Sequence, residues 1–187
     1  MKILGICGSP RRRGNTEILL DDALKGARSE GAVTKKLILN ELGIKPCQAC
    51  GGCEDTGRCV IRDDMDIVYK EVHSAEGIIL ASPLYFGSVS AQLKAMIDRF
   101  QCEWVRRNIL RSVDEGSKRG VFICVSGANR PKLFFDARKI VRIFFKSAGI
   151  EYRGELFCAG ADAKGLVKKN IGARQKALRL GISLARG

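Results

Sequence analysis

A chain of 187 residues with 45% hydrophobic and 28% charged residues has the size and composition of one globular domain, which excludes a disordered, collagen-like or coiled-coil polypeptide. Its 33 Lys and Arg against 20 Asp and Glu leave a net charge of +13, which favours anionic ligands or partners: phosphorylated cofactors, an acidic redox protein or nucleic acid. The longest uncharged stretch, Gly77 to Leu93, is broken by Ser82, Pro83, Ser88, Ser90 and Gln92 and is too polar to span a bilayer; the apolar run after Lys2 is too short for a signal peptide, so the expectation is a cytoplasmic protein without membrane contact.

Lys2 to Cys7 is an apolar run ended by Gly8-Ser9-Pro10, the pattern of a buried central strand entering a tight turn. From Thr16 to Gly31 the stripe Leu20, Ala23, Leu24, Ala27 predicts a helix with Asn15 as N-cap. Val33 to Asn40 reads as a second strand, and Asp63-Asp64-Met65-Asp66 opens a helix to Ala75, its acids suited to cap the positive end. Gly77 to Ala81 is a third strand, continuously apolar as in a parallel sheet covered on both faces, and stops at Ser82-Pro83. A helix follows from Ser90, with Leu93, Met96, Ile97 and Phe100 on one side; Arg119 to Val125 is a fourth strand, and Pro131 starts a helix to Gly149. Gly154 to Ala159 is a fifth strand, and a last helix from about Gly165 places Val167, Ile171, Leu178 and Ile182 on one face. This alternation predicts a single α/β domain over residues 1–187: a doubly wound, five-stranded parallel sheet that binds its ligand beyond the C-terminal strand ends. Residues 45–62 form an insertion after the second strand.

Two segments meet at that edge. Gly8-Ser9-Pro10-Arg11-Arg12-Arg13-Gly14-Asn15-Thr16 joins a strand end to a helix start, where free backbone N–H groups and the positive helix end attract phosphate, and Ser9, Arg11, Asn15 and Thr16 are assigned to it. It is neither a dinucleotide G-x-G-x-x-G loop nor a Walker A loop; Gly160 to Gly165 also fails as Walker A, having Leu166 where Lys is needed. Ser82-Pro83-Leu84-Tyr85-Phe86-Gly87-Ser88 can offer backbone groups to the edge of a planar heterocycle while Tyr85 or Phe86 packs against it. Ser126 to Asn129 lies on the same edge and could close the pocket.

Of the eight cysteines, Cys47, Cys50, Cys53 and Cys59 follow a C-x2-C-x2-C-x5-C spacing. Three thiols at steps of three wrap one face of an iron–sulfur cluster and the fourth completes its ligands; zinc, which more often takes two separated pairs, and free or regulatory thiols are the alternatives. Cys7, Cys124 and Cys158 fall in predicted strands as small core residues, whereas Cys102 has no evident place. His73 has no expected chemical role, and Trp104 with Arg106, Arg107 and Arg111 reads as a solvated face, a partner or subunit surface being the alternative.

Gly-Ser-Pro-Arg…Gly-Asn-Thr, the four-cysteine motif followed by Asp63-Asp64-Met65, and Ser-Pro-Leu-Tyr-Phe-Gly-Ser-Val-Ser together resemble the iron–sulfur flavoproteins, within the wider NADPH-dependent FMN reductase group, from Met1 to about Arg99. The resemblance implies a flavodoxin-like fold. It implies FMN with its phosphate on Ser9 to Thr16 and its ring on Pro83, Leu84, Tyr85, Phe86 and Gly87, and a [4Fe–4S] cluster on Cys47, Cys50, Cys53 and Cys59. It further implies homodimers or homotetramers and an acidic ferredoxin as electron donor, with NAD(P)H as another possible reductant. The function expected is flavin-dependent electron transfer, in which no side chain acts as acid or base because the cofactors carry the chemistry. An NAD(P)H-dependent flavin or quinone reductase without a cluster is the alternative. A nucleic-acid-binding module fits less well, because the basic residues are scattered and carry no binding motif.

Overall fold

The computed structural model describes residues 1–112 and 118–187. Its strands are β1 (Lys2–Cys7), β2 (Val33–Ile38), β3 (Gly77–Tyr85), β4 (Ser88–Val89), β5 (Lys118–Val125) and β6 (Ile150–Cys158). Five of them form a parallel sheet in the order β2-β1-β3-β5-β6, while β4 folds back antiparallel on the end of β3. The helices are α1 (Asn15–Ser29), α2 (Met65–Ser74), α3 (Ala91–Arg99), α4 (Gln101–Asn108), α5 (Phe134–Ser147) and α6 (Ile171–Arg186). Alternation along each strand divides the core in two. Leu4, Ile6, Ile78, Leu80, Phe122 and Cys124 pack under α2, α3 and α5, and Ile3, Cys7, Ile79, Ala81, Val121 and Ile123 pack under α1 and α6, as strand period two requires for a sheet covered on both faces. No helix among the described residues is long and apolar enough to cross a membrane.

Several sequence expectations are corrected. β3 does not stop at Ser82-Pro83 but runs to Tyr85. Ala81 turns its carbonyl to the β1 side, where Gly8 N donates at 2.7 Å; two residues on, Pro83 faces that same side, which β1 has already left, so its missing N–H breaks no ladder bond. β2 ends at Ile38 in a 3-10 turn over Leu39–Glu41, and β6 starts four residues earlier than expected, at Ile150. Pro131 opens a 3-10 turn before α5 rather than α5 itself. The N-cap of α1 is Gly14, and Asn15 is the first helical residue.

The face of α6 is also different. Ala173, Ala177, Gly181 and Leu184 are buried while Ile171 is exposed, because this face meets α1 at a distance that only small residues permit. A methyl group at Gly181 would overlap the carbonyl oxygen of Ala23, and one at Gly26 that of Leu178. Gly181→Ala is therefore expected to cost about 2–3 kcal/mol of overpacking, or about 4–12 °C in Tm for a domain of this size. Calorimetric melting of the variant checks this, and an unchanged Tm would show that the two helices can part freely.

Candidate functional site

At the C-terminal edge of the sheet, the loop after β1 and the end of β3 are locked together by two buried serines. Ser90 N donates to Ser82 Oγ at 3.0 Å, and Ser90 Oγ donates to the carbonyl of Gly8 at 2.6 Å and accepts from Leu93 N, capping α3. Gly8 is required there: a Cβ would stand 2.8 Å from that of Leu93 and 2.9 Å from Ser90 Oγ.

A small hollow of about 70 Å³, room for a phosphate-sized anion, lies beside this knot. Ser9, Arg11, Asn15 and Thr16 line it together with Pro83, Leu84 and Tyr85, so the two predicted segments do converge. Phe86 and Gly87 lie outside the lining, at the tip of the β3–β4 hairpin, where both have positive φ and Phe86 is fully exposed. No side chain caps α1, and its first internal bond runs from Ile18 N to Gly14 O at 3.0 Å. The N–H groups of Asn15, Thr16 and Glu17 therefore precede the helix ladder at its positive end, beside the buried Ser9 and Thr16, which suits an anion.

The side chain of Asn15 is spent on the fold rather than offered to a ligand. Its Nδ2 donates to the carbonyls of Ala161 and Ala163 at 2.8 and 2.9 Å, and its Oδ1 accepts from Val167 N at 3.2 Å. This brings the loop after β6 into the wall, where Asp162 and Lys164 are lining residues the sequence reading missed. Val125 and Gly127 complete that wall, so the segment after β5 does flank the pocket.

Glu17 supports the loop from inside. Its carboxylate accepts from Arg13 N at 2.6 Å, Arg12 Nη1 at 3.0 Å and Lys36 Nζ at 3.0 Å. Burial by itself would raise its pKa, but these donors outweigh burial and hold it below the ordinary 4.5. A carboxylate depressed by folding contributes stability that is complete above the unfolded value and lost as pH falls through the folded one. Wild type should therefore lose stability as pH drops below about 4.5, whereas Glu17→Gln should be weaker at neutral pH and less acid-sensitive. Urea midpoints measured across the acid range check this, and parallel curves would remove Glu17 from the account.

The second hollow, of about 440 Å³, lies in the cysteine-rich insertion and is lined by all four predicted thiols, Cys47, Cys50, Cys53 and Cys59. Ala49, Gly51 and Gly57 take positive φ, which curls the segment around the space. Both ends of the insertion are clamped. Asp63 accepts from Lys45 N at 2.9 Å and from Met65 N at 3.0 Å, and Asp64 accepts from Gly43 N at 2.8 Å. Burial would raise the Asp63 pKa, but Arg99 and these N–H groups bring it down. Burial raises the Cys53 thiol, and the neighbouring Cys59, Cys47 and Cys50 raise it further. Among the described residues no three of His, Cys, Asp and Glu converge tightly enough to hold a single metal ion; the thiols surround a volume instead.

Cys102, which had no evident place, is buried on α4 and borders the same hollow, its Sγ 3.4 Å from Tyr69 Oη. His73 Nε2 meets Glu103 Oε1 at 2.8 Å, tying α2 to α4. Cys7, Cys124 and Cys158 are buried in β1, β5 and β6, as expected.

Comparison with known proteins adds to this geometry. The model of the NADPH-dependent FMN reductase family matches residues 1–134. An iron–sulfur flavoprotein of Methanocaldococcus jannaschii is 48% identical over 99 residues, which are 53% of this chain and 51% of that protein, so the chain matches about half of that relative's length. A second iron–sulfur flavoprotein of the same organism is 30% identical over 186 residues, 96% of this chain and 91% of the relative. Among solved structures, an NAD(P)H:quinone oxidoreductase from Methanothermobacter marburgensis superposes with a TM-score of 0.78 over 98% of this chain and 96% of its own, at 16% identity, a likeness of fold.

Proposed function

Because this chain belongs to the NADPH-dependent FMN reductase family, as one of its iron–sulfur flavoproteins, we propose that it is an electron-transfer oxidoreductase that holds FMN at the sheet edge and a [4Fe–4S] cluster in the cysteine insertion. The observation that carries the reading is that Cys47, Cys50, Cys53 and Cys59 line one hollow although eleven residues lie between the first and the last of them. The residues fit both groups: unladdered N–H groups and buried hydroxyls for a phosphate, and four thiols around a multi-atom space for a cluster.

Bound FMN would exchange electrons in pairs and a bound cluster singly, so the two together would couple hydride donors to one-electron carriers. The protein's own share is to bind and orient. Ser9, Arg11 and Thr16, with the backbone of Asn15, would hold the phosphate, while Pro83, Leu84 and Tyr85 would support the ring, with Phe86 and Gly87 at its margin. Asp63, Asp64 and Arg99 keep the insertion closed at both ends. NAD(P)H or a small acidic carrier such as a ferredoxin would supply electrons, the carrier being favoured by the net charge of +13. Exposed Trp104 and Ile143 give apolar surface for a homodimer or homotetramer, which sedimentation analysis tests.

The deciding experiment is the visible spectrum of anaerobically purified protein, with iron, sulfide and flavin assays on the same sample. Flavin bands over broad sulfur-to-iron absorption, with about four irons per chain, are expected. Flavin without iron after anaerobic reconstitution would overturn the cluster and leave an NAD(P)H-dependent flavin or quinone reductase.

A further inference from the structure

Arg99 ends α3 with its side chain wholly buried. Its Nη1 donates to the carbonyl of Lys45 at 2.8 Å and to Asp63 Oδ2 at 2.7 Å; its Nη2 donates to the carbonyl of Ile61 at 3.1 Å and to Asp63 Oδ1 at 3.3 Å. These bonds use four of the five N–H groups of a guanidinium. The fifth, on Nε, is buried with no partner, and an orphaned donor on a buried cation calls for an acceptor. Arg99 also lines the hollow of the four cysteines. Cys47, Cys50, Cys53 and Cys59 line that hollow with it, so the orphaned N–H and the four sulfurs border one space.

We propose that the Nε–H of Arg99 is reserved for the iron–sulfur group and donates to one of its sulfurs, raising the reduction potential of the site. The inference rests on the cluster reading above. Asp63 balances the guanidinium charge at its far end, so the Nε–H acts chiefly as a fixed dipole. Reduction adds negative charge that spreads onto the sulfurs, and a donor already in place favours the reduced form. Arg99 is thus a positioning and tuning residue, with no part in bond making.

The test uses the full chain, reconstituted with iron and sulfide and labelled with 15N in arginine only. HYSCORE spectroscopy of the reduced cluster should show a coupling to one arginine nitrogen, and Arg99→Lys, which retains the positive charge but has no Nε–H, should lose that coupling and shift the midpoint potential of its iron-loaded fraction downward. A wild-type cluster with no 15N coupling overturns the proposal, as does an Arg99→Lys cluster with an unshifted potential. If Arg99→Lys fails to fold or to hold iron, the wild-type coupling alone decides. Wild-type protein that binds no iron overturns the cluster reading and this inference together.

Discussion

Replacing Cys53 with serine should take bound iron from about four per chain to near zero while leaving most of the FMN in place. Cys53 is only partly exposed, and Cys47, Cys50 and Cys59 line the same hollow; a neutral hydroxyl there cannot replace the thiolate that an iron needs. The effect should stay local, because the cysteine hollow and the phosphate hollow share no lining residue and the insertion is held at its ends by Asp63, Asp64 and Arg99 rather than by its thiols. Iron, sulfide and flavin assays on the reconstituted variant give the answer. Iron at the wild-type level would remove these cysteines as ligands, and a parallel loss of flavin would mean that the two sites do not fold independently.

Thr16→Asp should have the opposite selectivity, abolishing FMN binding while sparing iron. Thr16 is buried in the wall of the anion hollow, in the uncapped first turn of α1. An aspartate suits the positive end of a helix, so the apoprotein should fold with little loss. Its carboxylate would meet the FMN phosphate at close range, and two like charges about 4 Å apart at an effective dielectric near 20 repel by about 4 kcal/mol, close to a thousandfold in Kd. Quenching of FMN fluorescence on titration measures it. Affinity within about tenfold of wild type, or 1.4 kcal/mol, would place the phosphate elsewhere.

What the sequence disclosed was what is local in the chain. β1 with its glycine-serine turn, the buried stripe of α1 and the four cysteines lie within short segments, where spacing carries the signal. Asp162 and Lys164 belong to the segment set aside for lacking a Walker A lysine; they reach the hollow from the far end of the chain through Asn15, whose amide bonds to Ala161 and Ala163 leave no periodic trace. Arg99 went unassigned for a related reason: nothing beside it in the chain sets it apart, and only the folded insertion shows that it is enclosed. The face of α6 was misjudged because periodicity follows large apolar residues. Ile171, Leu178 and Ile182 drew attention, while Ala173, Ala177 and Gly181 made the contact by being small.

The nine residues of α3 act as a ruler. One end is pinned through Ser90 to the carbonyl of Gly8 and to Ser82, and the other carries Arg99 into its bonds with Lys45 and Asp63. At 1.5 Å per residue the rod is about 13 Å long, and it is rigid where loops would drift. The interval between the two hollows is thus counted in amino acids. Removing one residue from α3 would draw its ends together by about 1.5 Å and turn Arg99 through about 100°, so natural variation in this helix should come through substitutions and seldom through changes of length.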